Sequence, residues 1–149
     1  MQNYKKRLKE FSLKVTTSNF NASKILSSRD AYDYIKQFYA DDIDVYESFF
    51  LLLLNRANNT TGYVKISQGG TAGTVVDMKI IAKYAIDTLS ASVILAHNHP
   101  SGNVKPSQAD RDITKKAKAG LELLDVCVLD HIILTSDNGY HSFADEGLL

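Results

Sequence analysis

The run Phe49-Phe50-Leu51-Leu52-Leu53-Leu54 restricts the fold of this chain more than any other segment. Alternate side chains of a β-strand point to opposite faces, so six successive apolar residues need apolar cover on both. Such a run belongs in the centre of a sheet with helices on each side, and it is too short to span a membrane, which takes ~20 residues. A second run, Val93-Ile94-Leu95-Ala96, asks for the same surroundings. Helical patterns flank both. Spacing predicts a helix over 29–38 capped by Ser28, with Ala31, Tyr34, Ile35 and Phe38 on one face. It predicts a second over 78–89 capped by Asp77, and a third over 107–124 beginning at Ser107. Strands are expected at 47–55, 61–67, 92–96, 126–135 and 140–143, with a short one over 11–15, an acidic loop over 39–46 and a turn at Asp137-Asn138-Gly139. The order is a mixed βαββαβαββ series, which places the chain in the α/β or α+β class.

At 149 residues the chain suits one domain, and zero formal net charge argues against a strongly electrostatic nucleic-acid binder. A local basic cluster, Lys5, Lys6, Arg7, Lys9 and Lys14, is opposed only by Glu10 and reads first as a solvated edge. The single cysteine, Cys127, lies in Val126-Cys127-Val128-Leu129, where a small buried thiol is expected. Met1-Gln2-Asn3-Tyr4-Lys5 lacks the apolar core of a signal peptide, so the expected compartment is the cytoplasm, with no membrane partner. The glycine cluster Gln68-Gly69-Gly70-Thr71-Ala72-Gly73 lacks the Lys-Ser/Thr ending of a phosphate loop and reads as turn geometry.

The chemistry is concentrated in His97-Asn98-His99-Pro100, followed by Ser107 and Asp110. On an extended segment, residues i and i+2 share a side, so His97 and His99 converge while Asn98 faces away. Pro100 and Gly102 then turn the chain out, and Asp110, one turn into the next helix, can swing back toward the imidazoles. Two histidines and one carboxylate leave a fourth position open on a tetrahedral zinc, as in catalytic sites. The same facial set also suits ferrous iron. Ser107 and Asp110 have a plainer explanation as well, since Ser at the N-cap with an acid three residues on starts a helix. That account leaves the histidine pair unexplained.

Catalysis at such a site needs a proton carrier. Of the four glutamates, Glu10 lies in the basic lead-in, Glu146 near the C-terminus, and Glu122 ~22 Å along the helix that starts at the site. Glu47 heads the most hydrophobic strand and is the expected base. His141 is expected on the surface. Asp130 and His131 read as a hydrogen-bonded core pair or as partners standing behind the metal ligands.

Glu47, a long gap, His97-x-His99, then Ser107-x-x-Asp110 resembles the motif of the JAB/MPN metalloprotease superfamily (the JAMM motif). The longer string from Val93 to Gly102, Asp130-His131, and the ending Ser142-Phe143-Ala144 with Gly147-Leu148-Leu149 are similar to its RadC-like branch. The likeness covers roughly residue 26 to the C-terminus, with 1–24 as a basic lead-in and 25–149 as the domain. It implies a three-layer α/β/α sandwich with a mixed central sheet, like that of cytidine deaminases. It implies one zinc on His97, His99 and Asp110, Glu47 as the base, and Ser107 helping to hold the oxyanion. Asn98 stands where many peptidase members have Ser or Thr and is usual in the RadC-like branch. Full-length relatives carry a helix-hairpin-helix region before this domain. With about two dozen residues ahead of it here, that module is expected to be absent. The implied activity is a zinc-dependent metallopeptidase or isopeptidase acting on a protein or peptide. The rivals are a DNA-repair or mobile-element-associated module contacting nucleic acid through its basic N-terminus, and an interaction domain with a vestigial site.

Overall fold

The computed structural model describes residues 7–70 and 73–149. Its elements run α1 (Ser28–Lys36), a short 3-10 turn (Asp41–Asp44), β1 (Ser48–Leu54), β2 (Thr60–Gln68), α2 (Met78–Asp87), β3 (Ser92–Asn98), α3 (Gln108–Glu122), β4 (Cys127–Leu134) and β5 (Tyr140–Ser142). The sheet order is β2-β1-β3-β4-β5, with β3 and β4 parallel and the other neighbours antiparallel.

The unbroken apolar run of β1 is divided between two cores, as its pattern demands. Phe49, Leu51 and Leu53 pack with Val93 and Leu95 against Ile81 and Ala85 of α2 and Ala117 and Leu121 of α3. Leu52 and Leu54 pack with Ile94 and Ala96 against Ala31, Tyr32 and Ile35 of α1. The result is the α/β/α sandwich with a mixed sheet. Truncating one of these leucines to alanine costs about 2–5 kcal/mol by the lost transfer energy and the cavity left behind.

Several local details differ from expectation. The N-cap of α1 is Ser27: its hydroxyl accepts from Asp30 N, and Asp30 Oδ2 accepts from Leu26 N at 2.9 Å. Ser27 has an acid three residues on, whereas Ser28 has Ala31, so only a cap at Ser27 lets a carboxylate reach back to the chain ahead of the helix, where it meets Leu26 N. The buried face of α1 is Ala31, Tyr32 and Ile35, with Tyr34 and Phe38 at its margin. No strand forms over 11–15, where Phe11 is 90% and Val15 78% exposed. Arg7, Lys9 and Lys14 belong to this exposed lead-in, while Lys5 and Lys6 lie outside the described residues. The acidic loop contains the 3-10 turn.

Cys127 is exposed, in contrast to the buried thiol expected. Val126 and Val128 occupy the core, and the alternation of the strand turns the residue between them outward. His141 is half-buried, where a surface position was expected.

One irregularity matters for the site. Val93 pairs with Val128 and Ile94 with Asp130, so Leu129 is an extra residue in β4. This bulge resets the alternation. Val128 faces α2 and α3, yet Ile132 and Leu134 face α1. Asp130 therefore falls on the α1 side, and His131, opposite Leu95, falls on the α3 side. Among the described residues, no helix is long and apolar enough to cross a membrane.

Candidate metal centre

Each site residue is placed by a different element. Phe49 of β1 pairs with His97 of β3, and their rings stack with centroids 5.8 Å apart. The pairing brings Glu47, just ahead of β1, to the exit of β3. His97 is 1% exposed. His99 lies one residue past the strand, where its N–H donates to Leu134 O at 3.0 Å. Its Nδ1 donates to Asn103 O at 2.7 Å, a carbonyl that the Pro100–Gly102 turn brings round. Asp110 comes from the first turn of α3. Ser107 Oγ accepts from Asp110 N at 3.1 Å, and Asp110 Oδ2 accepts from Ser107 N at 2.7 Å. Ser107-x-x-Asp110 starts the helix as a capping box, and the rotamer that closes the cap also aims the carboxylate at the imidazoles.

The ligating atoms of Glu47, His97, His99 and Asp110 all lie within 4.8 Å of one another and could hold a metal ion. A tetrahedral ion with bonds of about 2.0–2.1 Å keeps its ligand atoms ~3.3–3.4 Å apart. His97 Nε2 is 3.0 Å from His99 Nε2 and 3.1 Å from Asp110 Oδ1, and His99 Nε2 is 3.3 Å from Asp110 Oδ2. These separations are close to those that neighbouring donors on one ion keep, with the two imidazoles facing different oxygens of the Asp110 carboxylate. Glu47 Oε1 stands further off, 3.6 Å from His97 Nε2 and 3.9 Å from His99 Nε2. The donor set, two imidazoles and two carboxylates, fits a metal ion, with the glutamate further from the imidazoles than Asp110 is.

Electrostatics agree with an anionic pocket for a cation. Burial alone raises the pKa of Asp110, but hydrogen bonds from His97 and His99, with the backbone N–H of Ser107, hold it well below the usual carboxylate range. Burial lowers the pKa of His99, yet its bonds to Asp110 and Asn103 and the charges of Asp110 and Glu47 raise it overall. His131 is driven the other way: complete burial, with His97 beside it, holds it well below its ordinary value.

The structure thus gathers Glu47, His97, His99 and Asp110, puts Ser107 at their edge and His131 behind them. His131 Nε2 is 2.8 Å from His97 Nδ1. Asp130 stands apart from the cluster: its carboxylate accepts from Ser142 Oγ at 2.6 Å, Ala144 N at 3.0 Å and His131 N at 2.7 Å, which ties down the chain after β5. Burial raises its pKa against the pull of those bonds.

Two contributors escape sequence reasoning. Asn98 is fully buried, accepts from Ser48 N at 2.7 Å and donates to Ile43 O at 2.6 Å and Tyr46 O at 2.7 Å. It clamps the segment carrying Glu47 onto the strand carrying the histidines. Its position in His-x-His was the available signal. The glycine loop is the second: Gly69 N donates to Glu47 O at 2.8 Å, and a Cβ on Gly73 would lie 3.1 Å from Glu47 Oε2.

Two clefts meet at Glu47 and Asp110. One, about 350 Å³, is walled by Phe49, Val76 and Ile113; the other, about 560 Å³, by Val75, His99 and Ser107. A wider depression of about 850 Å³ lies at the far end of the sheet around Arg56, Ser92 and Cys127, remote from the cluster. The chemistry sits beyond the carboxyl end of β3, where open α/β sheets place their ligands.

A mixed α/β/α sandwich with such a cluster at its sheet end defines a metal-capable domain of the JAB type. The chain belongs to the RadC-like JAB domain family, whose model matches residues 25–148. It is 43% identical over 125 residues to the UPF0758 protein of Flavobacterium johnsoniae, covering 84% of this chain and 53% of that one. It is 40% identical over 125 residues to the UPF0758 protein of Porphyromonas gingivalis, covering 84% and 54%. With the UPF0758 protein of Shewanella loihica it shares 35% over 139 residues, covering 93% and 60%. The chain therefore spans between about half and three-fifths of the length of these curated relatives.

Proposed function

We propose that this domain, residues 25–149, is a zinc-dependent hydrolase that cleaves an amide bond in a peptide or isopeptide substrate. The observation that carries this reading is the offset of Glu47. Its carboxylate stands 3.6 and 3.9 Å from the two imidazole nitrogens, outside the spacing of His97, His99 and Asp110 yet within reach of a solvent molecule between them. His97, His99 and Asp110 would hold one zinc ion per chain; two imidazoles and a carboxylate favour zinc over ferrous iron. A zinc ion in that position supplies Lewis acidity, lowering the pKa of water from ~15.7 toward about 7 and polarising a carbonyl oxygen.

The protein groups do the rest. Glu47 takes the proton of the attacking water and delivers it to the leaving amine. The Ser107 hydroxyl uses its lone pair on the helix cap, so its proton is available to an oxygen that becomes negative. Phe49, Val76 and Ile113 offer apolar cover on one side of the cleaved bond. The compartment we assign is the cytoplasm.

Zinc content by elemental analysis, together with turnover on a panel of peptides and ubiquitin-like conjugates, tests this. Wild type should carry zinc and cleave, Glu47→Gln should carry zinc without turnover, and His99→Ala should lose the zinc. Wild-type turnover in Glu47→Gln refutes the base. Undiminished zinc in His99→Ala removes that residue from the ligand set.

A further inference from the structure

We propose that His131 and Thr114 are positioning residues that hold His97 in the tautomer whose bare Nε2 faces the metal. This rests on the metal-site reading above. Donor counting along one buried chain carries it. Thr114 Oγ1 is 2.6 Å from the carbonyl oxygen of Asp110. A carbonyl only accepts, so the single hydroxyl proton is committed there. The same Oγ1 is 2.6 Å from His131 Nδ1 and has only lone pairs left to offer, so His131 Nδ1 carries the hydrogen. A neutral imidazole has one N–H, which leaves His131 Nε2 as an acceptor. That atom is 2.8 Å from His97 Nδ1, so His97 Nδ1 donates and His97 Nε2 keeps its lone pair.

The His131 ring is fully buried between two aromatic rings, where a charge would lose its hydration, so the relay runs through a neutral imidazole. The ring is also fixed in plane. Phe143 stacks on it at 4.8 Å and 17°, and Phe49 meets it edge-on at 5.5 Å and 65°. Thr114 is 1% exposed and His131 fully buried, so solvent does not compete for these bonds.

The two histidines thus reach the same tautomer by different anchors. His99 donates its Nδ1 hydrogen to the backbone carbonyl of Asn103. His97 donates to a side-chain relay that ends on the backbone of Asp110, itself one of the three ligands. The relay makes the metal-binding form of His97 depend on the first turn of α3 being formed.

Thr114→Val keeps the volume and removes the acceptor. His131 then gains by moving its proton to Nε2, which donates to His97 Nδ1 and leaves the His97 proton on Nε2, against the ion. Thr114→Ser keeps the hydroxyl. Zinc affinity should fall about 10–100-fold in Thr114→Val, the usual cost of losing a partner behind a ligand, and stay close to wild type in Thr114→Ser. Nitrogen-15 NMR of the metal-free protein should find the His131 proton on Nδ1 in wild type and Thr114→Ser, and on Nε2 in Thr114→Val. A wild-type His131 proton on Nε2, or equal affinity in the valine and serine variants, overturns the proposal. Should the valine variant not fold, His131→Gln, whose amide oxygen reaches the Nε2 position, is compared with the shorter His131→Asn. The glutamine variant should bind zinc at least tenfold more tightly, and equality overturns the relay. Absence of zinc uptake by wild type removes the hydrolase reading, while the His131 tautomer still judges the relay.

Discussion

Replacing Asn98 by alanine tests the clamp between the two halves of the site. The side chain is fully buried and makes three hydrogen bonds of 2.6–2.7 Å, one accepted from Ser48 N and two donated to Ile43 O and Tyr46 O. Each such bond contributes about 1 kcal/mol net, and each buried group left without a partner costs about 1–3 kcal/mol. Three bonds lost together give about 3 kcal/mol, with some recovery where the segment before β1 loosens and admits water. That is a large share of the ~5–15 kcal/mol that holds a domain folded. Urea unfolding should show the loss as a lower midpoint with an unchanged slope. Hydrogen exchange should show the Ser48 amide losing protection. Asn98→Asp sharpens the test: it keeps the acceptor for Ser48 N but turns an oxygen toward two carbonyls. It should be the less stable variant, by about 1 kcal/mol or more. An alanine variant within about 0.5 kcal/mol of wild type, the range of an ordinary surface change, refutes the clamp. Equal stability of the alanine and aspartate variants refutes the donor roles.

Gly73→Ala should lower turnover with zinc content unchanged, because φ is +112° and the new Cβ would press at 3.1 Å on Glu47 Oε2; full activity would show that this contact does not constrain the carboxylate. In the metal-free protein, stability should fall as pH drops from about 6.5 to 5. His131, with its folded pKa well below its ordinary value, refuses the proton that its unfolded form accepts, at ~1.4 kcal/mol per pH unit. Half-buried His141, lowered mainly by burial, acts in the same direction. His99 is raised, so its contribution is fully present below about 6.5 and is lost only as pH rises through its folded value, and it adds no slope in this window. Chemical unfolding at several pH values should show a shallower dependence for His131→Gln, and an unchanged slope would count against a neutral buried imidazole. Cys127, exposed at the start of β4, should react with iodoacetamide in the folded protein without loss of zinc or helix content; protection from the reagent would contradict its outward placement.

Sequence pattern alone reached a good part of this structure. The apolar run of β1 demanded cover on two faces and has it, Phe49, Leu51 and Leu53 on one side and Leu52 and Leu54 on the other. The i, i+2 spacing brought His97 and His99 together, and Ser107-x-x-Asp110 began a helix at the site. These rest on local periodicity, which neighbouring residues encode directly. The cap of α1 slipped by one residue because a second serine competed and an acid three positions on decided between them. The expected strand over 11–15 did not form: alternating apolar residues make a strand only when a neighbour pairs with them.

What tertiary structure alone decided is which distant groups share a face. The extra residue Leu129 in β4 reverses the alternation after Val128, so His131 turns toward His97 and Asp130 turns away. Asn98, which pattern reasoning only turned away from the histidines, gives its three side-chain hydrogen bonds to the segment around Glu47. A period of two records that neighbours point oppositely, but the phase between strands is set by register and bulges, and those come from packing between segments far apart in the chain.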